Sequence, residues 1–114
     1  MKNGVLQPGN LAVIFISTRP ETTENYLFFD EATLQSAHDI EGFLGWDSVR
    51  NEPHGIFISY WKDENAVETW RNNALHLRAK ALGKSDFYSF YRSVISRISH
   101  VSEFLKENTE EKKD

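Results

Sequence analysis

The sequence contains no cysteine, so it can form no disulfide, no thiolate nucleophile and no cysteine-ligated metal site. It also lacks any long apolar run. The longest, residues 11–16, is far shorter than the roughly 20 residues of a membrane-spanning helix. The N-terminus has no signal-peptide hydrophobic region of useful length. We therefore expect a cytoplasmic protein that does not insert into membranes.

Basic residues are scarce relative to acidic ones. Thirteen Lys and Arg against 17 Asp and Glu give a formal net charge of −4, and no basic stripe of the kind that neutralises phosphates stands out. We therefore expect no nucleic-acid partner. The sequence also has no glycine-rich phosphate loop, no nucleophile elbow and no paired-carboxylate motif. His38, His54 and His100 do not fall at metal-ligand spacings, so we expect no metal site.

Aromatic side chains are plentiful, at 13% of the 114 residues. They either fill a core that is poor in methionine and cysteine or line a ligand pocket. The length suits one domain. We place this domain at residues 11–105, after an irregular N-terminal arm over residues 1–10, which is rich in glycine and proline. Residues 106–114 have no apolar side chain, so we expect a disordered charged tail.

Hydrophobic periodicity predicts six elements in the order β-α-β-β-α-β. The first helix follows from an apolar stripe that ends at Ala37 and Ile40, and the second begins after Asp63, a good N-cap, and stops before Gly83. A short helical turn is expected just before the last strand. The predicted ranges are strand 11–17, helix 23–40, strand 42–50, strand 56–61, helix 64–82, helical turn 86–91 and strand 92–101.

This order is that of a ferredoxin-like α+β domain, with both helices on one face of a four-stranded antiparallel sheet. The first three strands carry apolar residues on both faces. In the second strand, strict alternation puts Phe43 and Val49 on one face and Leu44 and Trp46 on the other. The face without helices would then expose more apolar surface than monomers usually tolerate. Two stacked sheets would cover it, so we expect a homodimer whose interface buries roughly 1,600 Å² or more.

Several spaced residues carry a family resemblance. They are Trp61-Lys-Asp-x-x-Ala66, Trp70-x-x-Asn73-x-x-His76, Gly83 and Tyr88-x-x-Tyr91-Arg92. In this order, and with GFLGWDSVR ahead of them, they resemble the antibiotic biosynthesis monooxygenase (ABM) family over about residues 11–101. The resemblance implies a dimeric α/β barrel in which each subunit has a cavity between its sheet and its helices.

The resemblance also implies a choice of activities. Some family members oxygenate aromatic, quinone-forming compounds with O₂ and no metal or flavin, some degrade haem, and some have no known activity. The haem-degrading pattern has a histidine ten residues after the second tryptophan, where this chain has Lys80, which is no neutral imidazole ligand. We therefore expect cofactor-independent oxygenation of a small aromatic or quinone-like compound. The alternatives are a non-catalytic ligand-binding dimer, or haem binding and degradation with His76 as the ligand.

Two residues are candidate catalysts under this resemblance. His76 could remove a proton from a phenol, because its ordinary pKa near 6.5 suits proton transfer at neutral pH. It could equally be a helix-edge residue that bonds across the subunit or to water. Asn73, one turn earlier, could donate to a carbonyl or an oxyanion, or satisfy a nearby backbone group instead.

Five further residues are candidate substrate contacts. Trp61 and Trp70 could form the flat walls of an aromatic pocket, although Trp70 also suits the core because it lies in the centre of the apolar arc. Tyr88, Tyr91 and Arg92 could close the mouth of the cavity, with Arg92 contacting an anionic group. An ordinary interface role for these three is the alternative.

Overall fold

The computed structural model describes residues 5–19, 34–82 and 89–106, except for the side chains of residues 74–82. Residues 34–38 are helical and are called α1. The rest of the predicted first helix up to residue 33, the predicted turn at 86–88 and most of the tail lie outside the described residues. The other elements are β1 Leu11–Thr18, β2 Phe43–Asn51, β3 His54–Trp61, α2 Glu64–Leu82 and β4 Phe90–Arg97.

The four strands form one antiparallel sheet in the order β2-β3-β1-β4. In the inner strand β1, Leu11 lies opposite Trp61 of β3 and Arg97 of β4. This arrangement confirms the predicted ferredoxin-like α+β fold. Among the described helices, none is long and apolar enough to span a bilayer.

The helix-covered face of the sheet holds the core. The largest member is Trp61, and the cluster of buried apolar residues is Leu11, Val13, Ala37, Trp61, Ala66, Val67 and Trp70. Helix α2 begins where Asp63 Oδ1 accepts a hydrogen bond of 2.9 Å from the backbone N–H of Ala66, the N-cap that the sequence predicts. The predicted bounds of α2 are confirmed.

The faces of β2 differ from the prediction because this strand contains a β-bulge. The pairing register shifts between Phe43 and Gly45, and Gly45 has φ of 140°, a conformation that side chains disfavour. Phe43 and Trp46 therefore both lie on the helix-covered face, while Val49, opposite Ile56, lies on the other. The strict alternation assumed from the sequence was wrong by this one inserted residue.

Strand β4 begins earlier and ends earlier than predicted. It runs from Phe90, opposite Thr18, to Arg97, opposite Leu11, so its length matches that of β1. Phe90 and Tyr91 belong to the strand, so the helical turn predicted for them is wrong. The ladder with β1 ends at Arg97, although Ile98 still exchanges backbone hydrogen bonds with Gly9 and Asn10 just before β1.

The second face of the sheet points away from α2, and we call it the open face. Its apolar members come from all four strands: Ile14, Ile16, Val49, Ile56, Ile58, Phe90 and Val94. Val49 is 69% exposed, Phe90 45% and Ile56 44%. This apolar surface agrees with the prediction from the sequence that the first three strands carry apolar side chains on both faces.

Candidate functional site

The centre of the candidate site is a pair of tryptophans between β3 and α2. Their ring centroids lie 5.3 Å apart with an interplanar angle of 31°. The Trp61 indole N–H donates a 2.9 Å hydrogen bond to Ser59 Oγ. The Trp70 indole N–H is buried and has no acceptor in the described part of the chain. A buried donor without a partner costs about 1–3 kcal/mol, so this group is suited to a ligand oxygen.

The two tryptophans are not equivalent as pocket walls. Trp61 is fully buried, with Phe43 at 5.0 Å between ring centroids and Trp70 next to it. Its ring therefore has no surface open to a ligand. Trp70 is 8% exposed. Trp61 thus packs behind Trp70, and Trp70 is the member of the pair that a ligand could reach.

Asn73 lies on α2, three residues after Trp70, and its side chain is exposed. It lines an open groove of about 580 Å³ between the α1–β2 turn and the first half of α2. The groove is bounded by residues 39–42, Lys62, Asp63, Asn65, Ala66, Thr69 and Asn73. Ala66 belongs to both the core and this groove, so the groove adjoins the aromatic core.

The groove has more negative than positive side chains. Asp39, Glu41 and Asp63 face it together with Lys62. This balance suits a neutral or partly positive ligand group better than an anion. Among the residues that the structure describes, no group of three His, Asp or Glu side chains could hold a metal ion.

Two predicted site residues lie outside what the structure describes. Tyr88 falls in an undescribed segment. The backbone of His76 is part of α2, three residues beyond Asn73, but its side chain is not described. Their roles remain predictions.

Tyr91 and Arg92 lie on opposite faces of the sheet. Tyr91 is opposite Ser17 on the helix-covered face and stacks on Phe15, with centroids 5.4 Å apart. Arg92 is opposite Ile16 on the open face, and its guanidinium carbon lies 5.4 Å from the centre of the Phe90 ring. Neighbouring strand residues alternate between faces. The two therefore do not close the same cavity mouth within one subunit.

A polar pair that the sequence analysis did not identify lies at one end of the open face. The Tyr60 hydroxyl donates a 2.7 Å hydrogen bond to Asp47 Oδ2. Burial raises the pKa of Tyr60 to about 12, and the hydrogen bond to Asp47 and the negative charges of Asp47 and Glu103 act in the same direction. The two-residue loop after Asn51 fixes the β2–β3 register, so this diagonal pair could have been found from the sequence.

Comparison with known proteins adds sequence evidence. The model of the family "Antibiotic biosynthesis monooxygenase" matches residues 10–82. The chain is 36% identical over 104 residues to the uncharacterised protein YqjZ of Bacillus subtilis, covering 90% of each chain. It is 26% identical over 93 residues to the jasmonate monooxygenase of Pyricularia oryzae, covering 77% of this chain and 43% of that protein.

A solved structure gives the same architecture. SnoaB, a cofactor-independent oxygenase from Streptomyces nogalater, superposes with a TM-score of 0.65 over 87% of this chain and 99% of SnoaB. The two sequences are 14% identical. At this identity, the likeness shows a common fold.

Proposed function

Because the chain belongs to the antibiotic biosynthesis monooxygenase family, we propose that it is a monooxygenase acting on a small aromatic or quinone-forming compound. The reaction would use O₂ directly, without metal, flavin or haem. SnoaB shares this fold and is described as cofactor-independent, and a relative in Pyricularia oryzae is described as a monooxygenase. Both descriptions support the proposed class of reaction.

The observation that supports this proposal most is the indole of Trp70. It combines a flat aromatic surface with a buried N–H that lacks an acceptor in the described part of the chain. A ring ligand that carries a phenol, phenolate or quinone oxygen satisfies both, by stacking and by accepting a hydrogen bond. Trp61 holds this indole in place from behind through the 5.3 Å ring contact.

The proposed chemistry needs one base and one polar group. His76 takes a proton from a phenol or its keto tautomer, and the resulting anion supplies electrons to O₂. A C–O bond forms at the activated ring carbon, one oxygen atom remains as a carbonyl and the other leaves as water, so that R₂CH₂ + O₂ gives R₂CO + H₂O. Asn73, three residues from both Trp70 and His76 along α2, donates to the neutral carbonyl or phenol oxygen of the bound compound and orients its ring.

We further propose that the protein works as a homodimer joined through the open face. Val49, Ile56, Phe90 and Val94 are each at least 39% exposed there in the single chain, which favours burial against a second sheet. Arg92 lies on this face, so we assign it to the interface. The cytoplasmic location stays a prediction from the sequence.

A second candidate is a non-catalytic ligand-binding dimer of the same fold. The observation that favours it is the full burial of Trp61, which leaves one of the two predicted aromatic walls inaccessible. Haem binding is the weaker alternative, because Lys80 stands where the haem-degrading pattern has a histidine.

Oxygen uptake tests the proposal. Purified protein is mixed with a panel of hydroquinones and anthrone-type phenols in an oxygen electrode, and we expect uptake above the uncatalysed rate. The variant His76→Ala should lose this uptake and keep the sedimentation coefficient of the parent. His100→Ala removes an exposed imidazole outside the site and serves as the matched control.

Each other outcome has a definite meaning. Full turnover by His76→Ala would remove His76 from the mechanism. Tight binding of the same compounds, seen as quenching of tryptophan fluorescence, without uptake would favour the ligand-binding dimer. A Soret band on adding haemin would favour haem binding instead.

A further inference from the structure

The chain continues past β4 as a segment that is fixed at its start. The backbone N–H of Ile98 donates to the carbonyl of Asn10, and Gly9 N–H donates to the carbonyl of Ile98, both at 2.8 Å. Arg97 Nη2 also lies 2.7 Å from Glu64 Oε2 at the beginning of α2. We call residues 99–106, which follow this anchor without helix or strand, the C-terminal arm.

The C-terminal arm presents two large apolar side chains to solvent. Phe104 is 86% exposed and Leu105 is 89% exposed, more than any of the apolar residues of the open face. Phenylalanine and leucine are found mostly in protein interiors, and two adjacent exposed ones mark a contact surface. Within the subunit that carries this arm, both side chains are almost fully exposed to solvent, so they are suited to packing against a partner.

The position of the C-terminal arm points to the open face. The arm follows Ile98, which is hydrogen-bonded to Asn10, two residues after Ser96 on the open face. Tyr60 lies at the end of the open face that also contains Ala12 and Ser96. The arm therefore leaves the subunit at the rim of its exposed apolar surface.

The C-terminal arm is long enough to reach across another sheet. Its eight residues, 99–106, span about 26 Å when extended. A four-stranded sheet is only about 15 Å wide between its outer strands, since neighbouring strands are about 4.8 Å apart. An arm that starts at the rim of a sheet-to-sheet interface can thus pass over the partner's strands.

We propose that the C-terminal arm of one copy packs on a second copy of this chain, with Phe104 and Leu105 buried against the apolar side chains of that copy. This inference rests on the proposed homodimer and adds a specific contact to it. A two-fold axis repeats the contact, so each dimer has two arms in place. Because each arm starts beside the interface, its effective concentration for the partner is high.

Sedimentation equilibrium tests the contact. The double variant Phe104→Ser, Leu105→Ser should raise the dimer dissociation constant at least tenfold while the far-UV circular dichroism stays unchanged, since both side chains are solvent-exposed in the subunit. The matched control Ser99→Ala, Ser102→Ala alters the same arm without removing apolar surface. An unchanged dissociation constant for the double serine variant, with the parent dimeric, would overturn the arm contact and leave the dimer standing. A monomeric parent would instead overturn the dimer and the arm contact together.

A cross-link identifies the partner directly. The chain has no cysteine, so Leu105→Cys gives a single attachment point for a maleimide benzophenone. The labelled ¹⁴N variant is mixed with ¹⁵N protein, allowed to exchange subunits and irradiated. Cross-linked peptides that join a ¹⁴N arm to a ¹⁵N strand of the open face are expected. Cross-links confined to peptides of the same copy would overturn the proposal.

Discussion

Trp61 and Trp70 stack with their ring centroids 5.3 Å apart, yet only Trp61 has a hydrogen-bond acceptor for its indole N–H within the described residues. The acceptor is the hydroxyl of Ser59, which is itself fully buried. Among the described residues, one indole is therefore held by its ring and its N–H, and the other by its ring alone. In the proposed function, the N–H of Trp70 is the group that binds a ligand oxygen.

This difference predicts unequal costs for the same substitution. Trp61→Phe leaves the buried Ser59 hydroxyl without its partner, whereas Trp70→Phe removes a donor that has no acceptor among the residues the structure describes. Both variants lose the same ring volume. We expect Trp61→Phe to lower the free energy of unfolding by about 1–3 kcal/mol more than Trp70→Phe does. Urea unfolding measures this, and equal costs would contradict the assigned hydrogen bonds.

For activity, we expect the two tryptophan substitutions to have the opposite order of effects. Trp70→Phe should lower kcat/KM roughly three- to tenfold, the loss expected for one hydrogen bond to the substrate. Trp61→Phe, whose ring is fully buried, should change it less. Steady-state oxygen uptake compares the two. A larger loss in the Trp61 variant, at a temperature where both are folded, would mean that Trp61 contacts the substrate.

Gly42 connects the start of β2 to α2. It has φ of 102°, and an added Cβ would lie 2.8 Å from Ala66 Cβ. Gly9 has φ of 100° with nothing within 4 Å of an added Cβ. Gly9→Ala therefore measures the cost of the positive φ alone and is the matched control. Gly9→Ala should cost about 1–2 kcal/mol. Gly42→Ala should cost about 1–3 kcal/mol beyond that because the new methyl overlaps α2. Thermal unfolding of the two variants measures the difference, and equal costs would show that α2 moves freely away from Gly42.

Tyr60 predicts a loss of stability at alkaline pH. Its pKa is raised from 10.0 to about 12 in the fold, so between these values the unfolded chain gives up the proton first. The contribution is fully present below pH 10 and is lost as the pH rises toward 12. Urea unfolding at a series of pH values should show this decline, and Tyr60→Phe should reduce it. Tyr91→Phe is the control, and the same decline in both variants would contradict the assignment to Tyr60.

A single charge placed on the open face should separate the subunits of the proposed dimer. Val49 is 69% exposed on that face in the single chain. Val49→Lys would bury an unpaired ammonium in the proposed interface, so we expect a monomer in sedimentation velocity. Asn72→Lys places the same charge on an exposed position of α2 and should leave the dimer intact. A dimeric Val49→Lys variant would mean that the subunits join elsewhere.

The fold was predictable from local signals where these were strong. Helix α2 runs over Glu64–Leu82 as expected, and Asp63 supplies the N-cap that the sequence predicts. Predictions failed where a strand departs from regular alternation or where its bounds differ from those of the apolar pattern. The bulge before Gly45 moved Trp46 to the helix-covered face, and β4 runs over Phe90–Arg97 where the pattern predicted residues 92–101.

The candidate site was predictable only in part for a related reason. Sequence spacing identifies the tryptophans, but it does not reveal that Ser59 accepts from one indole, while the other finds no acceptor in the described ranges. The resemblance grouped Tyr91 with Arg92, whereas strand alternation separates them. Which side chains converge depends on pairing across strands, and pairing is a property of the whole sheet.

The most direct test of the proposed function is the fate of the oxygen atoms. The protein is incubated under ¹⁸O₂ with a substrate that the electrode panel selects, and the product is analysed by mass spectrometry before its carbonyl exchanges with water. We expect one ¹⁸O atom per product molecule, with the second in water, and no labelled product from the His76→Ala variant. Unlabelled product, with all consumed oxygen recovered as hydrogen peroxide, would contradict a monooxygenase.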